Sequence, residues 1–288
     1  MTSSVPDNDP CMTRNEKALK HINKDGIGLE IGPSHNPIAP KRSGYKVHIL
    51  DHADRKQLID KYKSHSVNID NIEDVDFVCR GESYADITGN SRQYDWIIAS
   101  HVIEHMPDLI GFILDCDSIL KNDGVISLVV PDKRYCFDHF RPISGISKII
   151  DAHIQKCTTH TAGNIAEYML NVTAKGGQIG WDKNFVGGYK LMHSLQDALN
   201  EMNSALMGGK YLDIHAWCFV PSSFRLIIND LYDLKLIPFR EVGFYPTNGH
   251  EFYVAIGRNG DGIHETRLDM LKYIEHEIAV GNGPEADL

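Results

Sequence analysis

The chain has 288 residues, with 29 Lys and Arg against 39 Asp and Glu, a formal net charge of −10, 42% hydrophobic and 24% charged residues. That composition excludes a wholly disordered chain, and the length allows one elaborated domain or two small ones. The acidic balance argues against sequence-independent nucleic-acid binding, which draws most of its free energy from Lys and Arg on phosphates.

Residues 1–12 are polar and Pro-bearing and read as a disordered lead-in, without the basic start and apolar stretch of a secretory signal. The runs GIGLEIG (26–32), YKVHILD (45–51), VDFVC (75–79), YDWIIAS (94–100) and GVISLVV (124–130) read as strands buried on both faces. Residues 53–64 and 107–121 have helical composition, the second closing at Lys121-Asn122-Asp123-Gly124 as a helix stop. This alternation predicts an open parallel sheet with helices on both sides. Residues 136–220 carry many aromatics and His but no convincing long strand, and read as a helical insertion with helix-forming stretches such as 189–207. Residues 221–234 read as a helix with Pro221 in its first turn, and 235–245 and 250–258 as strands of an antiparallel hairpin joined through Pro246-Thr247-Asn248-Gly249. One domain over 13–260 is expected, then a C-terminal helix and flexible tail over 261–288. No apolar run reaches the ~20 residues that span a bilayer. The six cysteines show no tight metal-ligand spacing and read as reduced thiols, so a soluble cytoplasmic protein is expected, with a homodimer possible.

In an open α/β sheet, ligands bind beyond the carboxyl ends of the strands, near the point where strand order reverses. After the first strand comes Glu30-Ile31-Gly32-Pro33-Ser34-His35, where Gly32 lets the backbone pass close to a ligand. The second strand ends in Asp51, placed to accept hydrogen bonds from ribose hydroxyls. Each feature alone is also an ordinary turn; together, in a first βαβ unit, they point to a ribose-bearing ligand. The full G-x-G-x-x-G pattern is absent, and with it the specific reason to expect a pyrophosphate.

These residues resemble class I S-adenosylmethionine-dependent methyltransferases. LEIGPSHNP is similar to their first motif, Asp51 stands at their ribose-binding acid, and YDWIIASHVIEHMPD is similar to their fourth strand and following loop. The resemblance covers roughly residues 25–135 and 215–258. It implies a Rossmann-like seven-strand sheet with a C-terminal antiparallel hairpin, and S-adenosylmethionine as cofactor. It implies cofactor contacts from Glu30, Gly32, Pro33 and Ser34, from Asp51 and His52, and from Ser100, His101 and His105. On the adenine side Glu82 and Asp86 both fit, with Asp86 preferred. The first loop departs from the family in having one Gly where many members have three small positions.

His101-Val102-Ile103-Glu104-His105 also matches the H-x-x-E-H of some zinc peptidases, which need both His on one helical face. A motif directly after a buried strand reads instead as a strand-to-loop junction, and no metal is expected. Acceptor chemistry is expected from 132–141 and 213–217: His139 or His215 as base, Asp132 orienting base or substrate, and Lys133, Arg134, Arg141 and Trp217 holding the acceptor. Segments PDKRYCFDHFRP and DIHAWCFVPSSF resemble bacterial methyltransferases of surface-glycan and sugar modification, which implies a sugar hydroxyl as acceptor. The alternatives are a non-sugar small-molecule O- or N-methyltransferase and a catalytically silent S-adenosylmethionine-binding protein.

Overall fold

A computed structural model describes residues 12–208 and 211–281. Five parallel strands, β1 (Gly28–Ile31), β2 (Val47–Asp51), β3 (Phe77–Val78), β4 (Tyr94–Ser100) and β5 (Leu120–Pro131), alternate with α1 (Arg14–Ala18) ahead of β1, α2 (Arg55–Tyr62), α3 (Tyr84–Thr88) and α4 (Leu109–Ile119). After β5 come α5 (Ile146–Ile154), α6 (Ala162–Asn171), the short strands β6 (Thr173–Lys175) and β7 (Tyr189–Leu191), and α7 (Leu195–Leu206). The chain closes with α8 (Pro221–Asp233), β8 (Arg240–Asn248), β9 (Glu251–Gly257) and α9 (Arg267–Gly281). The main sheet has seven strands in the order β3-β2-β1-β4-β5-β9-β8, with β9 antiparallel to both neighbours. This is the expected Rossmann-like methyltransferase sheet with its closing hairpin.

Alternation along the strands divides two cores. Leu29, Ile31, Ile97, Leu128 and Val254 face one layer, into which α4 sets Leu109, Ile110, Phe112, Ile113 and Ile119. At about 1.5–3 kcal/mol for each fully buried large apolar side chain, this face is the main source of stability. Trp96, Ile98, Val129 and Tyr253 face the other layer, closed by Ala18, Leu19 and Ile22. A Cβ on Gly28 would lie 2.1 Å from the Trp96 ring, so only glycine lets β1 pair with β4 beneath that indole.

Several boundaries differ from the sequence reading. Lys121-Asn122-Asp123-Gly124 lies in β5 rather than ending α4, because the strand begins at Leu120, opposite Tyr94, and its register shifts before Val125 pairs with Trp96. Residues 189–191 form a strand, since Tyr189–Leu191 pairs antiparallel with Thr173–Lys175, and the helix starts after its Ser194 cap. The insertion is therefore three helices and a small two-stranded sheet. Met12, within the expected lead-in, packs against the second core, and the C-terminal helix forms as Arg267–Gly281. Residues 1–11 and 282–288 of the two expected flexible ends lie outside the described residues. The five described cysteines are free thiols, and no described helix is long and apolar enough to cross a membrane.

Candidate active site

Strand order reverses between β1 and β4, so the crevice at their carboxyl ends is where a ligand is expected. Gly32 follows β1 with φ +63°, its N–H donating to the Leu50 carbonyl at 2.8 Å; a Cβ there would be strained and would press Val102 at 3.1 Å. Glu30 is buried with both oxygens on the loop it precedes, accepting from the Ile38 N–H at 2.6 Å and the Ala39 N–H at 3.1 Å. Burial raises its carboxyl to about 7 against those hydrogen bonds. Glu30 thus shapes the loop from beneath. Pro33 is buried in it, and Ser34, at φ +48°, donates its N–H to Asp51 Oδ2 at 3.2 Å. Asp51 Oδ1 accepts from the His52 N–H at 2.7 Å, while the His52 ring reaches solvent. Asp86 is exposed on α3, accepting from the Ser83 hydroxyl at 2.6 Å.

Beyond β4, a one-turn 3-10 helix spans Ile103–His105 and splits the H-x-x-E-H motif. His101, at φ +54°, turns its Nε2 to Glu251 Oε2 at 2.8 Å, whereas His105 turns its Nδ1 to Asp213 Oδ1 at 2.8 Å. The two His therefore do not converge on one point, as a peptidase zinc requires. Burial alone would lower the His105 pKa, but Asp213 and Glu104 reverse this and raise it. Glu251 reaches the site because β9 runs antiparallel to β5, with Glu251 opposite Pro131. Arg14 donates to it at 2.8 Å and also to the Ser100 hydroxyl at 2.6 Å. Burial pushes the Glu251 carboxyl up, but His101 and Arg14 outweigh it and hold it at about 2.

This shift has a consequence in acid. Glu251 stays ionised in the folded protein down to about pH 2, against 4.5 in the unfolded chain, so its contribution is full above 4.5 and lost as pH falls through 2. Glu251→Gln is expected to flatten the acid loss of stability across that window by about 2–3 kcal/mol. Urea unfolding at stepped pH measures this, and wild-type and variant curves that run parallel would refute it.

The segment after β5 is held between two others. Asp132 bridges to Phe219 and Cys136 to Gly180, while the Ala216 N–H donates to the Glu104 carbonyl at 2.7 Å, setting His215 beside Glu104. His215 Nδ1 lies 2.5 Å from Asp138 Oδ2 and its Nε2 lies 3.8 Å from Glu104 Oε1. Arg141 is fully buried behind them, donating to Asp138 at 2.8 Å, to the His215 carbonyl at 2.9 Å and to Glu167 at 3.0 Å. A cleft of about 300 Å³ opens here, walled by His101, His105, Phe137, Tyr168, His215 and His250.

The expected acceptor residues thus separate. His215 walls the cleft. His139 does not: its Nδ1 meets the Arg134 carbonyl at 2.7 Å, its Nε2 meets the Tyr189 hydroxyl at 3.2 Å, and its ring stacks on Tyr189. Asp132 orients neither His, being buried against Arg134 at 2.5 Å and the Thr247 hydroxyl at 2.6 Å; Asp138 is the carboxylate on His215. Lys133 is buried with its Nζ on the His139 carbonyl at 2.6 Å, and Arg134 is taken up by Asp132, so both brace the segment. Arg141 braces it too, and Trp217 is a core residue whose indole donates to the Met106 carbonyl at 2.7 Å and borders a separate groove. The sequence reading missed Arg14, His250 and Glu251. No local pattern marks them: the antiparallel pairing of β9 brings His250 to the cleft wall and Glu251 against His101, where Arg14 of α1 meets it.

A family model described as a methyltransferase domain matches residues 9–172, more than half of the chain. No curated protein matches it. Among solved structures, the CcbJ methyltransferase from Streptomyces caelestis is 12% identical at TM-score 0.42, over 84% of this chain and 94% of that one. A SAM-dependent methyltransferase from Aquifex aeolicus is 11% identical at TM-score 0.40, over 84% and 88%. The trans-methyltransferase CalH, in complex with SAH, is 11% identical at TM-score 0.40, over 84% of this chain, which spans only 53% of that one.

Proposed function

This chain belongs to the family of methyltransferase domains, and on that premise we propose that it methylates an oxygen nucleophile of a small polar acceptor, a sugar or glycan hydroxyl first. Its cofactor is S-adenosylmethionine, which would supply an electrophilic methyl group to the acceptor oxygen. The first loop fits such a ligand: Gly32 leaves its φ +63° turn without a Cβ, and the buried His35 Nδ1 has no partner among the described residues. Asp51, at the adjoining strand end, holds that loop through Ser34 and is the residue we assign to the ribose.

The observation that carries the acceptor reading is His215, held by Asp138 on one nitrogen and facing Glu104 with the other, in a cleft at the ends of β4 and β5. An acceptor oxygen placed there lies beside the crevice expected for the cofactor, and alignment of the two reactants can supply a large share of the acceleration of a bimolecular transfer. Phe137 and Tyr168, with ring centroids 6.0 Å apart, supply apolar faces next to the polar groups, which suits a ring with hydroxyl edges. The sugar assignment itself rests on the resemblance of the 131–142 and 213–224 segments to enzymes of glycan modification. Incubation with methyl-labelled S-adenosylmethionine and a panel of nucleotide sugars, glycans and non-sugar alcohols and amines is expected to give a labelled sugar methyl ether. Label found only on non-sugar acceptors would overturn the sugar reading, and none on any would favour a silent binding protein.

A further inference from the structure

We propose that Glu104, His105 and His215 form a binding site for one divalent first-row transition-metal ion at the acceptor end of the cleft. One ligand atom from each of the three lies within 4.8 Å of the others. Glu104 is fully buried, and neither carboxylate oxygen has a hydrogen-bond partner among the described residues. Its nearest imidazole nitrogens, His101 Nδ1 at 3.5 Å and His215 Nε2 at 3.8 Å, stand at or beyond the limit of a hydrogen bond. A carboxylate taken out of water without hydrogen bonds is strongly unfavourable, and a cation between the three side chains removes that penalty.

The surroundings are those of a metal centre as well. His215 carries its own carboxylate, Asp138 at 2.5 Å on the nitrogen away from Glu104, an arrangement that fixes a ligand ring and raises its basicity, and Asp213 Oδ1 lies 2.8 Å from His105 Nδ1. Asp138 is fixed in turn by Arg141. The neighbouring group of His101, His250 and Glu251 is a poorer site, because Arg14 and the Tyr253 hydroxyl already occupy the Glu251 oxygens. Two imidazoles and one carboxylate select zinc, manganese, iron or cobalt over magnesium and calcium, which take oxygen ligands. Three protein ligands leave a position open. His105 and His215 wall the cleft, so that position falls to an oxygen of the acceptor, which the ion would hold.

The site stands on its own geometry; only the role of the ion rests on the methyl-transfer reading. It departs from the sequence expectation of no metal, because His215 joins the motif only through the fold.

Titration of chelator-stripped full-length protein with zinc, manganese and magnesium separately, by calorimetry without cofactor or acceptor, tests the site apart from the function. We expect one equivalent of zinc or manganese to bind far more tightly than magnesium. Glu104→Gln and His215→Asn should abolish stoichiometric binding, Asp138→Asn should weaken it about 10–100-fold, and His250→Asn should retain it. No binding to the wild type, or binding that survives Glu104→Gln and disappears in His250→Asn, overturns the proposal. Zinc-edge X-ray absorption of the loaded wild type needs no variant: two imidazole ligands at Zn–N of about 2.0–2.1 Å are expected. A spectrum without imidazole scattering overturns it. A failed sugar screen with an intact metal site would refute the acceptor and leave this proposal standing.

Discussion

Replacing His215 by Ala is expected to lower turnover by about 10²–10³-fold while affinity for S-adenosylmethionine stays nearly constant. The separation follows from position. His215 lies near the end of the insertion, against Glu104 and Asp138, whereas Gly32 and Asp51, the loop and the acid assigned to the cofactor, follow β1 and β2. Whether it touches the acceptor oxygen directly or through an ion, its removal unfixes the nucleophile and leaves the cofactor loop untouched. His139→Ala is the control that discriminates, since both its ring nitrogens meet groups of the protein itself, the Arg134 carbonyl and the Tyr189 hydroxyl. Steady-state turnover at saturating cofactor, with calorimetry against S-adenosylmethionine in the absence of acceptor, measures both quantities. Near-normal turnover in His215→Ala, or a larger loss in His139→Ala, would move the acceptor away from this cleft.

The largest stability effect is expected at Arg141. Its guanidinium is fully buried and donates to Asp138, to the His215 carbonyl and to Glu167. Burial pushes the Asp138 carboxyl up, yet His215 and Arg141 together hold it at about 2, so it is a buried charge that depends on its partners. Arg141→Met strands that charge and is expected to destabilise the fold by about 3–5 kcal/mol. Adding Asp138→Asn removes the stranded charge, so the double variant should recover part of the loss instead of summing the two. Equilibrium denaturation of the two single variants and the double variant closes the cycle. A loss for Arg141→Met below about 1 kcal/mol, the range of exposed pairs, would show that water reaches Asp138.

The two effects have one origin. The groups around His215 are fully buried, Asp138 on its ring, Arg141 behind Asp138, and Glu104 on the side of its other nitrogen. A carboxylate and a guanidinium kept out of water are tolerable only in fixed geometry, and that geometry is what aims the imidazole.

The sheet was legible in the sequence because it is written in local terms. Dense Ile, Val and Leu runs separated by helical stretches point to an open parallel sheet, and the seven-strand arrangement with its closing hairpin was implied by the resemblance of the motifs at the strand ends. Gly32 and Asp51 were legible for the same reason, since a position just past a strand end is set by that strand alone. The edges of β5 and the strand Tyr189–Leu191 were not, because pairing with Tyr94 and with Thr173–Lys175 overrode the local helix and turn signals. Side-chain roles in the acceptor half were beyond reach as well. Asp132, Lys133, Arg134 and Arg141 look alike along the chain as polar groups after a strand. Burial then turned Asp132, Lys133 and Arg141 inward and left Arg134 half-buried, and each had to find a partner within the protein. His215 was named from its segment, but its pairing with Asp138, 77 positions away, and the arrival of Glu251 beside His101, 150 positions away, depend on which strands meet. Local sequence decides which residues end a strand; only the packed fold decides which of those ends converge, because convergence is fixed by contacts between segments that carry no information about one another along the chain.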